Sequence, residues 1–216
     1  MLIDLHTHTY PLSDDSELSV EALVERARQV GLDGLCLTEH DRFRDPEEVR
    51  ALSRRFNFLI LPGCEVNVDE GHVLVYGVHR YIFGMHKGSF LRRVVDEAGG
   101  VMIVAHPYRR KFREEEAREP RRFYDAVARA CRSELLPLVD AVEVLNGRGS
   151  PQENAFSQEL ARLFRRPGTG ASDAHRLEDI GTFATEFFTR IETLDDLIRE
   201  LKAGRFRPVV LRAPER

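Results

Sequence analysis

Two acid-x-His patterns bracket the chain, Asp4-Leu5-His6-Thr7-His8 near its start and Asp173-Ala174-His175 near its end. Side chains two apart in an extended segment leave on the same face. His6 and His8 therefore present a pair of imidazole nitrogens of the kind a divalent metal takes. Asp173 and His175 offer an oxygen and a nitrogen in the same way. Between them stand further isolated candidates, Asp14, His40, Glu65 and His106. These residue types suit a metalloenzyme. Serine-nucleophile chemistry is disfavoured because no serine sits in a nucleophile elbow. Nucleotide-dependent transfer is disfavoured because no glycine-rich phosphate loop is present.

Elements that could position these groups are legible as alternating apolar runs and amphipathic stretches. Strands are expected at 2–5, 34–37, 58–61, 73–78, 101–105, 141–145, 169–172, 183–189 and 208–211. Helices are expected at 20–30, 46–54, 89–98, 123–131 and 152–164, with one more begun by Thr193. Ser19 suits the N-cap of the first helix and Gly31 its end, while Pro46 suits the first turn of the second. The charged stretch 109–120 reads as irregular, either a flap or a solvated loop. Strand–helix alternation implies an α/β fold with mainly parallel strands. His6 and His8, His40, Glu65, His106, Asn146 and Asp173 each fall at or just beyond the carboxyl end of an expected strand. Active sites of α/β barrels and open α/β sheets are built there.

The 216 residues suit a single domain spanning 1–216 with a full apolar core. A net charge of -4 argues against sequence-independent phosphate-backbone binding by the chain as a whole. The three cysteines, Cys36, Cys64 and Cys131, lack CxxC spacing, which disfavours a disulfide framework or a cysteine-zinc site. Cys36 and Cys64 are expected to be buried thiols. With no signal-like start and no apolar run near ~20 residues, a cytoplasmic protein without membrane contact is expected.

Six ordered motifs resemble the polymerase and histidinol phosphatase (PHP) family of metal-dependent phosphoesterases. They are Asp4-Leu5-His6-Thr7-His8, Ser13-Asp14, Leu37-Thr38-Glu39-His40-Asp41, Pro62-Gly63-Cys64-Glu65, Ala105-His106-Pro107 and Ser172-Asp173-Ala174-His175. The resemblance implies a distorted seven-stranded β/α barrel holding two or three divalent ions, manganese, zinc or iron. It implies that His6, His8, Glu65 and Asp173 hold one ion. Glu65 would bridge to a second ion held by His106, and Asp14, His40 and His175 would hold the remaining position.

The chain also departs from the family pattern. Glu39 stands where an Asp is usual, and Ser13-Asp14-Asp15 replaces Ser-Asp-Gly, with Asp14 taken as the ligand. No histidine lies between His106 and His175, where the histidinol phosphatase branch has one. His72 is a candidate to fill that gap; Asn146 and Glu143 are alternatives. His79 and His86 lie on no motif and are expected outside the site.

The resemblance implies hydrolysis of a phosphate ester, either a small phosphomonoester or a nucleotide. His40 or His175 would protonate the leaving group, and Arg109 and Arg148 are candidates for gripping phosphate through a guanidinium fork. Three alternatives stay open. One is an exonuclease on short oligonucleotides with a basic rim of Arg42, Arg44, Arg109, Arg110 and Arg113. Another is a carbonyl or carbamate hydrolase, and the third a non-catalytic docking module.

Overall fold

The computed structural model describes residues 1–212. Two βα units and a third strand begin the chain: β1 (Leu2–Thr7), α1 (Val20–Gln29), β2 (Gly34–Leu37), α2 (Pro46–Phe56) and β3 (Leu59–Pro62). Their strands pair in parallel. The helices start where capping chemistry places them. Ser19 accepts from the Ala22 amide, and Asp45 caps α2 with Pro46 in its first turn. Of two late strands, β9 (Phe183–Phe187) pairs antiparallel with β1 and β10 (Phe206–Val210) antiparallel with β9, giving a sheet ordered β10-β9-β1-β2-β3.

The second sheet starts with an antiparallel pair, β4 (Cys64–Val68) and β5 (Gly71–Tyr76). It continues through β6 (Val101–Ala105), β7 (Ala141–Asn146) and β8 (Gly168–Ala171), ordered β4-β5-β6-β7-β8. Strand β4 was not among the expected elements, although Glu65 and Asn67 alternate there with the buried Cys64, Val66 and Val68. Pro62-Gly63 masked it, because that pair ends β3 and starts β4 almost without a loop. Gly63 is required at this corner, since a Cβ there would lie 2.7 Å from the Tyr76 ring and 2.9 Å from Thr38 Cγ2. The expected irregular stretch contains a short 3-10 turn (Glu114–Arg118) whose Glu116 is tied to the Arg113 amide and to Arg129.

A closed seven-stranded barrel is therefore not what the strand pairing shows; among the described residues ten strands form two five-stranded sheets. At the carboxyl ends of the parallel strands the sheets touch through isolated bridges, Thr7 with Ala174 and His40 with Glu65. Helices α1 and α2 cover the first sheet. Helices α3 (Gly88–Glu97), α4 (Pro120–Ala130) and α5 (Pro151–Phe164) cover the second. Between the sheets Ile3, Leu5, Leu74 and Ile103 pack with Leu197, Ile198 and Leu201 of α6 (Leu194–Ala203), which stops the amino-terminal end of the interior. Cys36 and Cys64 are buried and Cys131 partly so, all three as free thiols. Among the described residues no helix is long and apolar enough to cross a membrane.

One side chain ties the sheets together across that interior. Tyr76 of β5 is fully buried and its hydroxyl donates to the Leu5 carbonyl of β1 at 2.5 Å. Tyr76→Phe keeps the ring packing and removes only the hydroxyl partner. It is expected to lower unfolding stability by about 1–2 kcal/mol, read as a shifted urea midpoint at unchanged slope. An unshifted midpoint would show that this bond carries no net stability.

Candidate metal centre

Strand β1 delivers His6 and His8 to one point, and two other strand ends bring carboxylates to meet them. His6 Nε2 lies 3.3 Å from Glu65 Oε2 and 3.5 Å from Asp173 Oδ1; His8 Nε2 lies at the same two distances. All four atoms are buried, and none makes a hydrogen bond of acceptable geometry. Buried polar atoms are rarely left so. Ligands about 2.0–2.1 Å from a tetrahedral zinc stand about 3.3–3.4 Å apart. These four imidazole–carboxylate spacings match those between ligands of one divalent ion, and the residues fit such an ion.

Glu65 serves a second group through its other oxygen. Oε1 lies 2.8 Å from His72 Nδ1 and 2.8 Å from His106 Nε2. Register explains the meeting: β5 pairs His72 with Ala105, the residue before His106. A third group forms where His8, His40 and His175 bring their ring nitrogens within coordinating range of one another. The His8 ring lies 4.2 Å from that of His40 and 4.4 Å from that of His175, centroid to centroid.

Buried carboxylates hold the imidazoles in place from behind. His6 Nδ1 donates to Glu143 Oε1 at 3.0 Å, which leaves Nε2 as the nitrogen facing the cluster. Glu143 Oε2 accepts from the His106 amide at 2.7 Å and from Asn146 Nδ2 at 2.9 Å. Behind His8, Ser13 Oγ lies 3.1 Å from Nδ1 and 2.7 Å from Glu39 Oε2. Glu39 also accepts from the Thr9 amide and from Arg44. Two ligand candidates carry left-handed backbone, His106 at φ 27° and Asp173 at φ 54°. Such strain in non-glycine residues persists only where surrounding contacts over-determine it.

Charge follows the same geometry. Burial pulls the His6 pKa down, but Asp173, Glu65 and Glu143 outweigh it and hold the imidazole well above its ordinary value. Burial would raise Glu65 and Asp173, yet His6 and the neighbouring imidazoles keep both carboxyls well below the usual range. His106 and His175 are lowered, chiefly by burial. The cluster thus holds ionised carboxylates that a cation can neutralise.

A family model for the PHP domain matches residues 4–131, more than half of the chain. The chain belongs to the PHP family. A second model, described as PHP-associated, matches residues 151–206. An uncharacterised protein of Methanocaldococcus jannaschii is 25% identical over 121 residues, covering 50% of this chain and 68% of that one. Among solved structures, PsfC of Pseudomonas syringae superposes with a TM-score of 0.63 at 19% identity, over 97% of this chain and 91% of that one. An amidohydrolase of Chromobacterium violaceum, solved with bound sulfate and no metal, gives 0.57 at 18% identity over 99% of both chains. A provisionally assigned metal-dependent phosphoesterase of Bifidobacterium adolescentis gives 0.57 at 17%, over 94% and 96%. At these identities the likeness is one of fold.

In this PHP chain most of the expected site residues converge: His6, His8, His40, Glu65, His106, Asp173 and His175. His72 joins them. Asn146 does not face the cluster as a ligand; its amide donates to Glu143 and, at 3.2 Å, to Asp173 Oδ2. Glu143 likewise orients His6. Asp14 needs correction. It is exposed, and the acid that meets the third group is Asp15, 3.3 Å from His40 Nε2 and 3.1 Å from His175 Nε2. The turn that buries Ser13 against Glu39 sends the next side chain outward and the one after it back. Arg109 lies at the site with Nη2 2.6 Å from Asp173 Oδ2 and Nη1 3.0 Å from His106 Nε2. Arg148 Nη1 lies 3.0 Å from His175 Nδ1. His79 is exposed and His86 half-buried, both outside these groups.

Three groups sharing Glu65 and His8 lead to an expectation of two or three divalent ions per chain by elemental analysis of protein purified without chelator. Asp15→Ala should lower that count or weaken the most labile ion about tenfold or more, whereas Asp14→Ala should leave both unchanged. Equal effects of the two substitutions would return Asp14 to the site.

Proposed function

We propose that residues 1–216 act as one PHP domain that hydrolyses a small phosphate ester. The observation carrying this reading is the set of four buried atoms on His6, His8, Glu65 and Asp173, none in a hydrogen bond of acceptable geometry, at the spacing of metal ligands, with two arginines beside it. Divalent ions at such a site supply an acidified water and charge for the nonbridging phosphoryl oxygens.

The chain's own residues do the rest. Glu143 and Ser13 fix the imidazole tautomers so that no ring must turn during a cycle. Arg109 swings from Asp173 to the incoming phosphate, which it can grip with two parallel hydrogen bonds. Arg148, beside His175, holds the opposite side. The leaving alkoxide needs a proton, and whichever of His40 and His175 is not engaged as a ligand is the candidate to deliver it. His40 is the better placed, with its side chain 24% exposed against 6% for His175.

One observation favours a small ester over an oligonucleotide. The expected basic rim is thinner than its sequence suggests, because Arg44 is buried between Glu39 and Glu48. That nearly all of the ligand candidates are present stands against a docking module, whose ligands have no reason to persist. A carbonyl or carbamate hydrolase would use the same groups, so the choice of substrate separates it.

Arg109→Met should lower kcat/KM for a phosphate ester by roughly 10–100-fold, at ~1.4 kcal/mol per tenfold. Arg109→Lys should recover only part of this, because it keeps the charge and loses the fork. Both variants should keep their metals by elemental analysis. If neutral carbonyl esters are turned over faster than every phosphate ester tried, the phosphoesterase reading fails.

A further inference from the structure

A buried glutamate stands behind each of the paired imidazoles, but only one touches its histidine. Glu143 meets His6 directly. Behind His8 the carboxylate is Glu39, and Ser13 lies between them. Glu39 is fully buried and its Oε1 is paired with Arg44, at 3.2 Å to Nε and 3.0 Å to Nη2. A carboxylate so paired can only accept hydrogen bonds. The single proton of the Ser13 hydroxyl is therefore committed to Glu39 Oε2 at 2.7 Å.

The hydroxyl's two lone pairs remain, and both have takers. One faces His8 Nδ1 at 3.1 Å; the other accepts from the His40 amide at 3.4 Å. With its donor spent, Ser13 can offer His8 only an acceptor. His8 must then carry a proton on Nδ1, and Nε2 is the nitrogen left facing Glu65 and Asp173. We infer that Glu39, acting through Ser13, is the positioning residue that selects the metal-facing nitrogen of His8. Ser13 lies on the same turn that presents Asp15 to His40 and His175, so one hydroxyl sets the approach of both groups that share His8. This rests on the metal-binding reading of the site and is independent of the substrate.

The test uses the full chain and zinc as probe. Long-range proton–nitrogen correlation spectra of the metal-free protein report the His8 tautomer, with its signals assigned by their loss in His8→Asn. Chelator competition reports zinc affinity. Wild type should show Nδ1 protonated. Ser13→Ala should mix the tautomers and weaken at least one zinc about 10–100-fold, the scale of lost orienting partners. Ser13→Thr, which restores a hydroxyl, should recover both. Glu39→Gln should act in the same direction and add nothing in a Ser13→Ala background.

Ser16→Ala serves as the control for a merely structural role. Ser16 bonds the backbone carbonyls of His8 and His175, so its loss should cost stability and leave the tautomer alone. Unchanged tautomer and affinity in Ser13→Ala would overturn the inference, and so would losses that multiply in the double variant. A wild type that takes up no zinc but keeps Nδ1 protonated until Ser13 is removed would instead sink the metal reading and leave the relay standing.

Discussion

The two oxygens of Glu65 face different groups of imidazoles, and the architecture is arranged so that both can. Oε2 looks toward His6 and His8, while Oε1 looks toward His72 and His106. An ionised carboxylate fully out of water is costly unless opposite charge and hydrogen bonds surround it. The break at Pro62-Gly63 is what makes this possible. A continuous strand would place Glu65 within the first sheet; the corner instead starts a second sheet whose edge meets the first beside His40. The site thus lies where the two sheets meet, at the bridges of Thr7 with Ala174 and His40 with Glu65.

Strand ends rather than long loops carry most of the cluster, and this sets its rigidity. His6, Glu65, His72, His106 and Asp173 are anchored by neighbours that pair in registered ladders or just beyond them. Backbone strain at His106 and Asp173, and carboxylates held in the interior, oppose folding locally. The apolar clusters on either side of each sheet, and the plug of α6, offset that opposition. Sites supported in this way keep donor atoms within a few tenths of an ångström of where a ligand needs them.

How much of this was legible beforehand depended on whether a signal was local. Strand alternation and caps are local, so the βα units, Ser19 and Pro46 could be read directly. The recurrence of His, Glu and Asp at strand ends located the site because it repeats a rule of α/β folds. Strand β4 was missed because Pro62-Gly63 reads as a stop, although Glu65 and Asn67 alternate correctly behind it. Asp14 and Asp15 could not be separated by type; only the turn that buries Ser13 decides between them. The service of Glu39, Glu143 and Asn146 was hidden for a different reason. Each acts on a partner from a distant part of the chain: Glu143 on His6, Glu39 on Ser13, and Asn146 on Asp173.

Shared ligands also bear on the charge that a substrate meets. Glu65, Asp173 and Asp15 bring three negative charges, and two or three divalent ions would bring four to six positive ones. Arg109 and Arg148 add two more at the rim without being needed as ligands. Asp173 is divided between these demands: Oδ1 faces His6 and His8, while Oδ2 takes Arg109 and Asn146. Ions held there would neutralise Asp173 from its other side, and its hold on Arg109 would weaken as the local potential turned positive. The arginine would then be available to an arriving anion. A phosphate ester dianion answers both that guanidinium and the excess charge of the cluster, whereas a neutral carbonyl leaves both unmet.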